Sequence, residues 1–534
     1  MLSRVIKFVK RYHLLPTLAV FLFFFVTMGH LQFATPYFID FDSHYHAKMA
    51  LMIKDFGVLQ SFPWLFFTTL HQAFVNQHFL FHVYLLPFVW LGGLFYGAKI
   101  AIVSAIALVF TLVYWLLKNE KAPAPLLISL LLLLAPTDFF FRLHMIRVQS
   151  VSLLFMLIGI MCLWYKKPIL LFLVSFFYAW LYGGGFFLPL IVLIYLGLDL
   201  LYEHKLDVKL LIGGIGGYIA GFIINPYFPK NINYLFDQVF VTGLGYTQSG
   251  LNVGGEWRPY DTWYIFDMSL IYMILIAVTL FFLLFLGKKL SKQSMHIWII
   301  QCLFLVLMWK SKRFVEYWPL FALLSVGMSI RDIARSELFE PIAKKVGSIL
   351  VLGLIIVLKY FNPYQANTNF YQLAQKVGRI TTDCLVVIIL GLILTLGYFN
   401  LQKAKADFHP PFSEADTENI MTCIQSHSMP GDIVFTDDWD IFTGYFFYNT
   451  YNHFIVGLDP AFMHRFNPLL YKQFADITMG KDRDDIARKI STVFQARYVV
   501  IDRDHREFRA SVESSGGAFS KICENPTYTG YHIN

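Results

Sequence analysis

Phe38-Ile39-Asp40-Phe41-Asp42-Ser43-His44-Tyr45-His46 follows directly on the first apolar stretch of the chain. Two carboxylates and two imidazoles stand where a membrane helix leaves the bilayer. Ionisable residues at a bilayer edge cost free energy unless they serve a site, so this stretch reads as part of one. A chemistry-bearing loop at the end of an apolar helix belongs to a membrane protein, and the rest of the sequence agrees.

Of the 534 residues, 57% are hydrophobic and 18% aromatic, too apolar a mixture for a soluble globule. A bilayer crossing needs about 20 apolar residues, and such runs recur from Leu14 to about Asn400. They are expected as spans near 99–117, 124–136, 149–165, 168–182, 186–202, 210–225, 267–287, 294–309, 314–330, 347–361 and 383–400. Beyond Lys403 the composition turns polar. The chain therefore divides into a membrane unit, 1–405, and a soluble unit, 406–534, the size of one small domain. In the soluble unit, short apolar segments at 432–435, 453–457 and 498–501 alternate with helical stretches at 420–428 and 484–494, which predicts a small α/β domain. The fold class expected is mainly α: a polytopic helical bundle with a C-terminal α/β domain.

The net charge of +8 is a topology signal, because the basic residues sit in short loops, and it implies no nucleic acid. Arg4, Lys7, Lys10 and Arg11 precede the first helix, which reads as an uncleaved anchor. Further basic loops at 118–121, 166–167, 204–209, 288–292 and 331–345 are assigned to the cytoplasm. Residues 35–98, 137–149, 182–185, 225–267 and 310–313 are then external. Within the long first loop, 62–74 and 79–95 are expected as helices lying on the membrane surface. The span count is even, which leaves the tail in the cytoplasm unless the segment 346–400 holds a re-entrant piece or another crossing.

The five cysteines show no C-x-x-C spacing, hence no zinc or redox motif. Cys423 and Cys523 lie in the tail and either pair or remain free.

The unusual polar residues fall in the external loops. Asp40, Asp42, His44, His46 and Lys48 are spaced so that several could converge on a metal ion, or one carboxylate could act as a base. The alternative is a hydrated turn capping a helix at Ser43. A glycine-rich segment, 242–255, leads into Glu256 and Arg258, a composition that suits a mobile lid or an ordinary connector. Lys310, Lys312 and Arg313 place positive charge on the external side, with Arg142, His144 and Arg147 adding to it; a lipid phosphate is the natural counter-ion.

In combination these segments resemble the catalytic subunit of oligosaccharyltransferases, members of the GT-C superfamily of membrane glycosyltransferases. Phe41-Asp42-Ser43-His44-Tyr45-His46-Ala47-Lys48, followed by Asp55-Phe56-Gly57, resembles the first-loop aspartate motif. Ala179-Trp180-Leu181-Tyr182-Gly183-Gly184 resembles a tryptophan-glycine-glycine turn. Gly255-Glu256-Trp257-Arg258-Pro259-Tyr260-Asp261-Thr262-Trp263 resembles the glutamate-bearing mobile loop, and Arg313-Phe314-Val315-Glu316-Tyr317 the arginine segment at the donor phosphate. Gly431-Asp432-Ile433-Val434-Phe435-Thr436-Asp437-Asp438-Trp439-Asp440 resembles the strand leading into the W-W-D-Y-G acceptor motif.

Two departures stand out. The acidic pair of the family's second external loop is replaced by Arg147-Val148-Gln149. In the acceptor motif Trp439 and Asp440 match, whereas Asp438, Ile441 and Phe442 differ, which implies an acceptor other than the asparagine sequon.

The resemblance implies transfer of a sugar or glycan from a polyprenyl-(di)phosphate donor to a protein, glycan or lipid acceptor. The setting implied is the outer face of a bacterial-type inner membrane, among membrane lipids. Asp42 and Glu256 are the expected catalytic residues. Arg313, Lys312, Arg147 and Arg258 are expected at the donor phosphate, and Trp439 and Asp440 at the acceptor. A divalent cation (Mg or Mn) held by Asp42, His44, His46 and Glu256 is one expectation for the centre. The rival reading is a transporter or flippase of lipid-linked glycans. It predicts ionisable residues at the midplane of the spans, whereas here they gather in external loops.

Overall fold

The computed structural model describes residues 14–236, 254–287, 289–335 and 370–534, with 370–385 described by their backbone alone. The expected span at 347–361 and most of the glycine-rich segment at 242–255 lie outside these residues. Helix α1 (Leu14–Gln32) buries Val20, Phe24, Met28 and Leu31 along one narrow stripe and leaves its other faces to lipid. The Phe24 ring meets Phe110 edge-on at 5.2 Å. Helix α2 (Phe41–Phe56) begins at Asp40 and carries Asp42 in its first turn.

Helix α3 (Phe79–Gly92) and helix α4 (Ala98–Asn119) form one apolar run. The chain reverses inside it. Gly93 takes φ +76°, and a Cβ on Gly97 would collide with the Phe88 carbonyl. Tyr84 Oη donates to the Ala101 carbonyl at 2.7 Å, two positions that a straight helix would hold about 25 Å apart. At 14 residues, about 21 Å, α3 is too short to cross a bilayer.

Helices α5 (Pro125–Leu130) and α6 (Thr137–His144) follow. The span expected at 124–136 is not a single straight helix: its apolar turns and α6 meet at 89°. This bend returns the chain to the level of α2, and so puts Arg147 beside Asp40 and Asp42. Helices α7 (Gln149–Trp164), α8 (Pro168–Leu181), α9 (Phe187–Glu203), α10 (Val208–Ile223), α11 (Thr262–Phe285), α12 (Lys292–Lys310) and α13 (Trp318–Ala334) complete the bundle, with α14 (Phe370–Lys405) leading to the tail. Helix α13 is buried on almost every side. At its far end Arg331 pairs with Glu120 at 2.6 Å and with Asp332 at 2.9 Å, so a charge 1% exposed is fully countered. Among the described residues four apolar helical runs have the length and composition to cross a membrane, or five if the bent pair counts as one, so the chain is a multi-pass membrane protein.

The tail contains α15 (Glu414–His427), β1 (Ile433–Thr436), α16 (Phe442–Tyr448), β2 (His453–Phe454), β3 (Ala496–Asp502), β4 (Phe519–Glu524) and β5 (Tyr528–Ile533). Its five-stranded sheet has the order β2-β1-β3-β5-β4, parallel as far as β3 and antiparallel beyond it. Cys423 and Cys523 are joined as a disulfide.

The tail packs against the first external loop, which corrects two expectations. Residues 62–74 form turns, not a surface helix, and join the sheet at its β2 edge. The Phe66 amide donates to the Phe454 carbonyl at 2.9 Å, and the Phe454 amide to the Trp64 carbonyl at 2.8 Å. Tyr45, Met49, Phe62 and Trp64 share one core with Ile420, Phe442, Phe446 and Phe454. Each large apolar side chain buried there is worth about 1.5–3 kcal/mol, so the two parts form one body. The tail therefore lies on the same side of the bundle as the first loop, and the even span count does not describe it.

Candidate active site

A cavity of ≈ 380 Å³ opens where the first loop, the α6–α7 junction, the Glu256 loop, the Arg313 segment and the tail converge. Asp42, His46, Arg147, Glu256 and Arg313 line it, and Trp439, Asp440 and Asp459 close it from the tail side.

Asp40 has extended backbone at the start of α2, but its carboxylate does not cap that helix. It accepts from Arg147 Nε at 2.8 Å and from the Ser43 hydroxyl. Ser43 Oγ in turn accepts from the Ile146 amide at 2.8 Å, which binds the α6–α7 junction to the first turn of α2. Asp42 lies in that same turn, where the helix amino-terminus favours an anion. Its side chain is 40% exposed, to the cavity, and meets Arg147 Nη2 at 3.0 Å.

Glu256 occupies a 3-10 turn, Gly255–Trp257. Its carbonyl accepts from Ser311 Oγ at 2.9 Å, and the Arg258 carbonyl accepts from the Lys312 amide at 3.1 Å. These bonds tie the glutamate loop to the arginine segment. Three guanidiniums surround the Glu256 carboxylate: Arg142 at 2.6 Å, Arg147 at 2.9 Å and Arg313 at 3.4 Å. Arg142 also pairs with buried Glu316 at 2.9 Å. The Arg313 guanidinium lies over the Trp257 ring, 4.4 Å from its centroid, a cation–π contact.

Two of the four lining carboxylates, Glu256 and Asp42, are tuned in opposite directions. Burial alone would raise Glu256, but Arg313, Arg142 and Arg147 outweigh it and hold the carboxyl well below its usual range. Burial raises Asp42, and Arg147 only partly offsets this. Glu256 is thus a fixed anion, and Asp42 is the group more ready to take a proton. On the tail side, burial and the neighbouring Asp438 push Asp440 up to about 7, and burial pushes Asp459 to about 6.

The structure brings Asp42, Glu256, Arg313, Arg147, Trp439, Asp440 and His46 to one cavity. It does not bring the others. Arg258 is exposed and away from the cavity lining. Lys312 directs its ammonium over the Tyr260 ring at 5.4 Å. His44 is fully buried and bonds Glu414 of the tail at 2.6 Å. His46 Nδ1 bonds His82 Nε2 at 2.8 Å, and burial together with His78 and His82 lowers it well below the usual imidazole value. Asp42, His44, His46 and Glu256 therefore do not converge as metal ligands. Among the described residues the three-ligand cluster that does form is Cys423, His427 and Cys523, two of which are already a disulfide.

Several lining residues carried no sequence signal of their own. His78 lies in an irregular turn and, held near 3 by burial and by Arg313 and Arg147, stays neutral. Asp459 caps a short helix by accepting from the Ala461 amide at 2.8 Å, and reads in sequence as an ordinary Asp-Pro turn.

No family model matches the sequence, and no curated protein matches it either. Solved structures do match in fold. The oligosaccharyltransferase AglB from Archaeoglobus fulgidus, in complex with an inhibitory peptide and a dolichol-phosphate, aligns with a TM-score of 0.61 at 12% identity, covering 98% of this chain and 75% of that one. The apo form of the Archaeoglobus fulgidus enzyme gives the same TM-score over 97% of this chain and 74% of that one, again at 12% identity. ArnT from Cupriavidus metallidurans aligns with a TM-score of 0.52 at 13% identity, covering 95% of this chain and 96% of that one. The fold is of the GT-C type, mainly helical with a small C-terminal sheet.

Proposed function

We propose that this chain is an integral membrane glycosyltransferase. It transfers a sugar or glycan from a polyprenyl-(di)phosphate donor to a protein, glycan or lipid acceptor on the extracytoplasmic side of the membrane. One observation carries the reading: Asp42 and Arg313 line the same cavity, a proton acceptor and a fixed cation on opposite elements. Glycosyl transfer from a lipid phosphate needs that pair. The acceptor X–H loses its proton to Asp42 as X attacks the anomeric carbon. The bond from that carbon to the phosphate oxygen breaks, and its electron pair stays on the phosphate. Arg313, lying over the Trp257 ring, meets the negative charge as it develops. Trp439 and Asp440, on the tail wall, are placed to receive the acceptor.

Two observations support the side of the membrane. The tail sits with the first loop, and its Cys423–Cys523 disulfide suits an oxidising compartment. The dolichol-phosphate and peptide in the AglB structure are consistent with a lipid phosphate and an acceptor meeting in such a cavity.

The test is genetic and chemical. A deletion strain should accumulate a lipid-linked sugar visible by mass spectrometry of extracted lipids, and the wild-type gene should discharge it. Asp42→Asn should be present in the membrane at normal level yet leave the pool undischarged. Full discharge by that variant would remove Asp42 from the chemistry, and an unchanged lipid-linked pool in the deletion strain would overturn the reading.

A further inference from the structure

Arg147 occupies the point on which the carboxylates of the centre converge. Its Nε donates to Asp40 at 2.8 Å, its Nη2 meets Asp42 at 3.0 Å, and its Nη1 donates to Glu256 at 2.9 Å. Each nitrogen of one planar guanidinium thus engages a different carboxylate, from the start of α2 and from the Glu256 loop. Arg147 is only 12% exposed, and the Ile146–Ser43 bond one residue away fixes its backbone.

Three carboxylates around a single cation is the donor set of a hard divalent metal site. Here the oxygens facing inward are already occupied by N–H groups. Among the described residues no three ligand atoms of Asp40, Asp42, Glu256, His44 and His46 lie within 4.8 Å of one another. Among the described residues the wall carries two imidazoles, neutral His78 and His46, and His46 Nδ1 is bonded to His82. A divalent ion would have to displace a buried guanidinium or sit beside it and beside Arg142 and Arg313, with strong repulsion. The residues present do not fit a metal.

We propose that Arg147 is a built-in replacement for the divalent cation: it neutralises and aligns Asp40, Asp42 and Glu256, and the centre takes no metal. Arg147 is then a positioning residue. It holds the Asp42 carboxylate in a fixed orientation while leaving that side chain open to the cavity. Unlike a metal ion it cannot dissociate, and its charge does not vary over the accessible pH range. Its charge is shared among three carboxylates, whereas among the described residues Arg313 pairs in the centre with Glu256 alone, at 3.4 Å, so Arg313 is the less neutralised cation and the one assigned to a donor phosphate. The assignment rests on the glycosyltransfer reading for the role of Asp42, but not for the metal-free centre itself.

The test reads binding, not turnover. The full chain, stripped with EDTA and held in lipid nanodiscs, is titrated with Mn²⁺ alone and followed by the electron paramagnetic resonance signal of free Mn²⁺ and by the unfolding temperature. The wild type is expected to take up no Mn²⁺ that Asp42→Asn abolishes, and EDTA is expected to leave its unfolding temperature unchanged. Arg147→Ala vacates the cradle and is expected to bind one Mn²⁺, with a rise in unfolding temperature that Asp42→Asn cancels. One equivalent of Mn²⁺ bound by the wild type and lost in Asp42→Asn overturns the proposal. So does an Arg147→Ala protein that folds and still binds none. The wild-type arm decides alone if Arg147→Ala does not fold. Because no arm measures glycosyl transfer, the metal question and the activity are settled separately.

Discussion

Glu414, in the first turn of the tail helix α15, holds His44 of the first loop at 2.6 Å, 370 residues away in the chain. The other oxygen of the same carboxylate accepts from Tyr448 at 2.7 Å. His44 is fully buried and Glu414 nearly so. The pair is the polar clasp within an apolar junction, and it orients the helix that presents Asp42. Glu414→Ala would leave buried His44 and half-buried Tyr448 without their partner, the buried group alone costing about 1–3 kcal/mol. The expected result is an unfolding temperature several degrees lower and faster proteolysis between α14 and α15. A variant of unchanged stability would show that the clasp contributes nothing to docking.

The disulfide offers a second check on the side of the membrane and on the tail's stability. Cys423 and Cys523 enclose a loop of 100 residues and join α15 to β4. Removing such a link costs about 2–5 kcal/mol. Alkylation of the denatured protein should therefore reveal two further thiols after reduction. Cys523→Ser should unfold at lower temperature than wild type, and reductant should lower the wild type to match it. A periplasmic phosphatase reporter fused after Asn534 should be active; an inactive fusion would place the site on the cytoplasmic face.

Arg313 is the cation left for the donor, so its replacement should act on transfer more than on folding. Arg313→Ala is expected to lower kcat/KM by roughly 10²- to 10³-fold, the loss typical of one preorganised donor to a developing anion. Arg313→Lys keeps the charge but loses the guanidinium contact with the Trp257 ring and should recover only part of the rate. Lys312→Ala and Arg258→Ala, whose side chains lie outside the cavity, should change kcat/KM little. Equal losses at all three positions would point to a diffuse positive surface in place of a single phosphate contact. The measurement is initial rate against donor concentration in nanodiscs.

The contrast between Arg313 and Arg147 also marks how far the sequence is legible. Asp42, Glu256 and Arg313 each stand at the end of an apolar run, and apolar runs are read with ease, so their common location follows from the span pattern and from the order of the segments. The partner of Arg147 does not. Its bond to Glu256 links positions 109 residues apart, and no local period encodes whether a buried arginine meets a phosphate or a carboxylate. His44 misleads for the same reason: two-residue spacing from Asp42 and His46 suggests a shared ligand sphere, whereas on a helix such residues point about 200° apart, which sends His44 to the tail. Residues 62–74 are aromatic enough to read as a surface helix because their true partner, the Phe454 strand edge, is distant in sequence. The reversal at Gly93 and Gly97 is legible only in hindsight, since glycines are common inside membrane helices. Strands β4 and β5 lack a strong apolar alternation and escape notice; the register of β5 comes from pairing with β3, and that of β4 from pairing with β5.

Asp440 gives the prediction most open to direct measurement, because its sign is fixed by the titration. In the unfolded chain its carboxyl has the ordinary value of 3.8, and in the folded protein it stands at about 7. Below about pH 3 both states are protonated, and the group has no effect on stability. Between about pH 4 and 7 the unfolded chain gives up its proton while the folded one retains it, so folding is progressively disfavoured as pH rises. Above about pH 7 both are ionised, and the penalty of holding a charge buried beside Asp438 is complete. Asp440→Asn has no proton to lose. It should unfold at the same temperature as wild type at about pH 3 and at a higher temperature at about pH 8. A stability gain of equal size at both pH values would mean that packing, not charge, separates the two proteins. If the same variant also raises KM for the acceptor while leaving KM for the donor unchanged, the destabilising carboxylate is retained because the tail wall of the cavity uses it to bind the acceptor.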